Sequence, residues 1–95
     1  MKLCDVATVK TNYPDADFWI IRRGSLKTVG KPTREFYAEH IGIKVIKTDI
    51  LIPDYLMICM EYLHKRGVWE PRSNGSLSLV NIRVSDVKSI ELVPR

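Results

Sequence analysis

Cysteine and histidine are scarce, with two of each in 95 residues. Cys4 and Cys59 form no Cys-x-x-Cys pair, which argues against a disulfide scaffold and for a reducing compartment, the cytoplasm by default. His40 and His64 lie within one helical turn of neither each other nor a cysteine, whereas zinc needs four ligands at short pair spacings. No metal is expected. No Gly-x-Ser-x-Gly elbow and no Gly-x-x-x-x-Gly-Lys loop occurs, which removes the familiar nucleophile and phosphate-loop chemistries and leaves no cofactor to expect. Long apolar runs are missing as well. The longest inside the helix candidate is Leu56 to Met60, against the roughly 20 residues of a membrane span. The start, Met1-Lys2-Leu3-Cys4-Asp5, meets an acid too early for a signal-peptide core. Acidic surplus is absent, since 15 Lys and Arg against 11 Asp and Glu leave +4. That sign argues against a DNA mimic and permits a polyanion partner without demanding one. With no repeat, Pro-rich linker or polar tract, residues 1–95 read as a single domain.

What is present is an ordinary globular composition, 45% hydrophobic and 27% charged, with charge unevenly placed. Residues 1–35 hold seven basic and four acidic side chains, and Arg22 to Arg34 contains five cations and no acid. The balance is −1 over residues 36–65 and +2 over residues 66–95.

Tyr13-Pro14-Asp15 reads as a turn, and Phe18-Trp19-Ile20-Ile21 as a strand buried on both faces. Gly24, Gly30 and Pro32 make Arg22 to Pro32 a loop or hairpin connection. Ile41, Ile43 and Val45 share one face of a strand, Gly42 and Lys44 the other. The clearest helix spans about 53–66, with Pro53 at its first position, Lys65 and Arg66 at its last turn and Gly67 as terminator. Tyr55, Leu56, Cys59, Met60, Tyr62 and Leu63 form its broad apolar face, opposite Asp54, Glu61 and Lys65. Met57 and Ile58 border the polar strip, so the helix is expected to pack on more than one side, covered within the chain or in a homodimer. Further on, Arg72 to Ser76 reads as a polar turn, and the side-chain phase slips between Leu79 and Val80. A short turn near 85–89, capped by Ser85, precedes a closing strand at Ile90 and Leu92 that runs up to Pro94. The expected class is α+β: a small mixed sheet with one principal helix.

Two patterns carry candidate chemistry. Pro53-Asp54 with Asp86-Val87-Lys88 imitates the Pro-Asp … Asp-x-Lys pattern of metal-dependent nucleases. That chemistry needs both carboxylates around Mg²⁺ on adjacent strands, and here both fall at helix or turn starts, where electrostatics of helix termini explain them better. The basic cluster is the stronger lead. Arg22, Arg23, Lys27, Lys31 and Arg34, spaced by Gly, Ser and Thr, suit salt-sensitive contact with phosphates. Arginine can also fork onto guanine, and Asn74 or Asn81 can pair with adenine.

The order of several motifs then carries a resemblance. Val29-Gly30-Lys31-Pro32 follows a strand, and the alternating run Ile41 to Val45 comes next. Thr48-Asp49-Ile50-Leu51-Ile52-Pro53-Asp54-Tyr55-Leu56 opens the helix, Gly75-Ser76 marks a loop, and Val80-Asn81-Ile82-Arg83-Val84-Ser85-Asp86-Val87-Lys88-Ser89-Ile90-Glu91-Leu92-Val93-Pro94 closes the chain. From about Phe18 to Pro94 this resembles the target-recognition domain of type I restriction–modification specificity subunits.

The resemblance implies a non-catalytic α+β module that grips double-stranded DNA with loops and reads one half of a bipartite site. Methyl transfer and cleavage then belong to partner methyltransferase and restriction subunits. The DNA-facing candidates it implies are Arg22, Arg23, Lys27, Lys31 and Arg34 in one loop and Arg72 and Asn74 in another, with Arg83 beyond. The chain departs from the family in carrying one compact domain and no long heptad helix, and Arg95 stands about where a spacer helix would begin. A stand-alone relative from a phage or mobile element, or a trimmed fragment, would fit. The rival reading is a protein-interaction module, an antagonist or relic of a recognition domain that binds restriction or other host proteins. A nuclease ranks third.

Overall fold

Alternating side chains build the first strand. In β1 (Ala7–Thr11) Ala7 and Val9 point into the core while Lys10 is exposed. The continuous apolar run Phe18-Trp19-Ile20 forms β2 (Phe18–Ile20), buried on both faces as its composition predicts. Two very short strands follow, β3 (Arg23–Gly24) and β4 (Pro32–Thr33), and then β5 (Ile41–Val45). In the computed structural model, which describes residues 1–75 and 79–92, these strands pair in the order β1-β5-β2-β4, antiparallel throughout. Ile43 stands opposite Val9 on one side and Phe18 on the other.

The glycine between the inward-facing isoleucines has a packing role. A Cβ on Gly42 would lie 2.7 Å from Tyr13 Cβ and 2.9 Å from Ala16 Cβ, so the Tyr13-Pro14-Asp15 turn can seat on the sheet only because that side chain is missing. Trp19 covers the same face and donates its indole N–H to the Tyr13 carbonyl at 2.9 Å.

The principal helix α1 (Pro53–Lys65) has Pro53 at its first turn, and Gly67 beyond it adopts φ +74°. Its packing shows no second cover from the described residues of the chain itself. Leu56 and Met60 are fully buried, and Met57 and Leu63 pack partly against the core. Tyr55, Ile58 and Tyr62 turn to solvent. One stripe is buried, because the sheet offers this helix one face and none of the described residues covers Tyr55, Ile58 or Tyr62.

A second sheet gathers β3, β6 (Asn74–Gly75) and β7 (Val80–Asn81) in the order β3-β7-β6, again antiparallel. The α+β class and the principal helix therefore hold, while the single mixed sheet is replaced by two antiparallel ones. Val80 and Ile82 are buried and Leu79 is exposed, which fits the slipped phase; Leu77 and Ser76 lie outside the described residues.

The last helix, α2 (Val84–Lys88), starts two residues earlier than a Ser85 cap would place it. Arg83 is its N-cap, and the Asp86 carboxylate accepts the Arg83 backbone N–H at 3.0 Å, so the acid three residues in caps the turn that Ser85 was expected to cap. Ile90 then accepts the Leu3 N–H at 2.9 Å, and Glu91 bridges Lys2, tying the C-terminal segment to the N-terminal one. The expected closing strand at Ile90 and Leu92 is thus, among the described residues, only an isolated bridge; Pro94, its expected end, lies outside them.

Candidate nucleic-acid interface

The small sheet forms because β2 runs straight into it. Two residues past Ile20 the chain leaves the large sheet, and the backbone of Arg22 pairs with Ile82 (Ile82 N–H to Arg22 O, 3.0 Å). Half-buried Arg22 also sends its Nε to the Ile82 carbonyl at 3.4 Å. One step further, Arg23 is the register partner of Asn81, and Asn81 that of Asn74. Residues 22–24 and 74–75, distant in the chain, thus meet across a single row of three backbones, Arg23, Asn81 and Asn74. Arg72 stands two positions before Asn74 in the chain, its Nη1 donating to the Val68 carbonyl at 2.8 Å. Arg83 stands two positions after Asn81 and is exposed.

The rest of the basic loop goes elsewhere. Residues 25–30 form a turn held by Ser25 and Thr28, whose hydroxyl accepts the Ser25 N–H at 3.1 Å. Gly30 (φ +85°) lies against the Trp69 ring so closely that any Cβ would overlap it. The Lys27 carbonyl can only accept, so the 2.7 Å contact makes His64 Nε2 the donor and fastens the turn to the C-terminal end of α1. Lys27 and Lys31 are exposed. Arg34 sits at the opposite end of α1, its Nη2 2.8 Å from Asp54 Oδ1. Ten residues of helix separate Asp54 from His64, about 15 Å at 1.5 Å per residue. The eight candidates therefore divide: Arg22, Arg23, Arg72, Asn74 and Arg83 collect around the small sheet, while Lys27 and Arg34 flank the helix ends and Lys31 precedes β4.

Carboxylates intervene at two places. Glu39 Oε1 stands 3.6 Å from Arg23 Nη1, and Asp54 holds Arg34. Both pairs are well exposed, so their mutual attraction is small and a phosphate can displace either acid. Sequence reasoning missed Glu39 and the two exposed aromatics before it, Phe36 and Tyr37. Phe36 meets Trp19 edge-on at 5.8 Å, and Tyr37 meets His40 at 5.0 Å. The available signal was the interleaving of a cation with aromatics in Arg34-Glu35-Phe36-Tyr37, a composition that suits stacking on nucleobases.

The nuclease pattern is not assembled. Asp54 and Asp86 occupy the first turns of two different helices, one paired with Arg34 and the other capping Arg83. Among the described residues, no group of three or more His, Cys, Asp or Glu could hold a metal ion, and no helix is long and apolar enough to cross a membrane.

Two antiparallel sheets, one principal helix and a loop-built polar edge define the class of this fold: a small α+β module. Its architecture is similar to that of a known structure, the S subunit of a type I restriction–modification system from M. genitalium, with a TM-score of 0.71 at 13% sequence identity. The match covers 95% of this chain and 32% of that one, so this chain spans about a third of the S subunit's length. At that identity the likeness is one of fold, and it agrees with the resemblance carried by the order of the sequence motifs. No protein-family model and no curated protein matches the sequence.

Proposed function

We propose that this chain is a non-catalytic module that binds double-stranded DNA in the manner of a restriction–modification recognition domain. It would work in the cytoplasm, beside methyltransferase or restriction subunits that carry the chemistry. The observation that carries the reading is the register row Arg23–Asn81–Asn74, flanked by Arg22, Arg72 and Arg83. Arginine and asparagine are the residue types that fork onto guanine and adenine edges, and the ladder brings the backbones of Arg23, Asn81 and Asn74 side by side. Lys27, Lys31 and Arg34 extend the positive surface along the flanks, where they suit phosphates.

Fluorescence anisotropy on a duplex oligonucleotide across a salt series tests the proposal. Contact with about four phosphates gives a log–log slope near −3.6. The triple variant Arg23→Glu, Lys27→Glu, Lys31→Glu, whose side chains are all exposed, should abolish binding while its circular dichroism stays unchanged. Undiminished DNA affinity in that variant would overturn the site. A second reading, a protein-interaction module in place of a DNA reader, is favoured by the Arg23–Glu39 and Arg34–Asp54 pairs, which already neutralise two of the cations. It predicts no DNA titration at any salt concentration.

A further inference from the structure

The solvent side of α1 is the largest feature that DNA binding leaves unused. Tyr55, Ile58, Cys59 and Tyr62 follow one another at helical spacing, and Arg66 completes the row one turn later. Beside them Ile50 and Ile52, in the segment leading into the helix, form a second wall with Leu92. Between the two runs a groove of about 1070 Å³. Ile58 is 63% exposed, Ile52 60%, Ile50 57%, Tyr62 56% and Tyr55 44%. Together these five side chains leave on the order of 500 Å² of apolar surface in water, near the top of the range for a monomer.

From this patch we infer that the face is a two-fold interface with a second copy of the chain, the two α1 helices packing antiparallel. Three observations select that occupant. The patch holds both a ridge, centred on Ile58, and a groove beside it, so the same surface can supply knob and socket, as a self-complementary interface requires. Burying most of it on both copies removes up to about 1,000 Å², the size of a weak, transient interface. The charges agree as well. Asp49 lines the groove near the N-terminal end of α1, and Arg66 lines it at the C-terminal end; neither belongs to an ion pair among the described residues. Antiparallel pairing centred between Ile58 and Cys59 sets Tyr55 opposite the other copy's Tyr62 and each Arg66 beside the other's Asp49 segment. Parallel pairing would oppose like charges. A groove lined by both signs also suits a protein better than a polyanion.

The inference does not rest on DNA binding, and its test uses none. Sedimentation at about 100 μM, above the micromolar range usual for an interface near 1,000 Å², should give a dimer. Ile58→Glu, at an exposed position, should give a folded monomer. Arg66→Asp should weaken the dimer about tenfold, and adding Asp49→Arg should restore it. In a Cys4→Ser background, a short bis-maleimide should link Cys59 to Cys59 of the second copy, and Ile58→Glu should abolish the product. A wild type monomeric at every concentration overturns the inference. So does a dimer that ignores Ile58→Glu, or one whose Cys59 thiols do not link.

Discussion

The two sheets use the same antiparallel pairing for opposite ends. In the four-stranded sheet, β2 and β5 place Phe18, Ile20, Ile41 and Ile43 at essentially zero exposure. In the three-stranded sheet each strand is two residues long, and Val80 is its one buried hydrophobic among the described side chains. The first sheet holds itself together by removing apolar surface from water, each such side chain worth about 1.5–3 kcal/mol. The second cannot, because two-residue strands bearing Arg, Asn and Gly bury little. It exists because β2 hands the chain to Arg22 and Arg23, and because Ile82 is anchored in the core next to β7. The polar edge is thus positioned by a sheet to which it contributes almost nothing.

That division of labour can be broken from either side. The largest effect is expected for Ile43→Ala at the centre of the large sheet, about 2–5 kcal/mol off the unfolding free energy by urea titration. DNA binding should fall with it only in proportion to the unfolded fraction. Gly30→Ala should cost on the order of 3 kcal/mol, combining the positive φ with the overlap on Trp69. Because Gly30 seats the basic turn against Trp69, thermal unfolding and protease nicking near Lys27 should both report the loss. Arg23→Ala should change stability by less than about 1 kcal/mol, since it removes an exposed pair with Glu39. DNA affinity should nonetheless fall by about 1–3 kcal/mol, with base preference relaxed at the position Arg23 reads. A large stability loss in Arg23→Ala would mean that the small sheet supports the fold after all.

Much of this architecture was legible in the residues. The β2 run, the alternation of Ile41, Ile43 and Val45, and the bounds of α1 follow from hydrophobic period and from Pro53 and Gly67, signals that act within a few residues. Strand β1 escaped notice although Ala7 and Val9 alternate with Thr8 and Lys10; five residues with one small apolar side chain give a weak pattern. The solvent exposure of Tyr55, Ile58 and Tyr62 was not legible, since composition shows an apolar face without showing whether anything lies against it. Nor was Glu39 beside Arg23, a contact spanning sixteen positions of chain.

Local chemistry was enough to settle β2, β5 and α1 and that cations crowd residues 22–34, because period, turn residues and charge are properties of neighbours in the chain. The meeting of Arg23, Asn81 and Asn74 in one row, and the separation of Lys27 from Arg34 by the length of a helix, came only with folding. Those distances are set by how buried side chains far apart in sequence pack together, and no short window of residues contains that information.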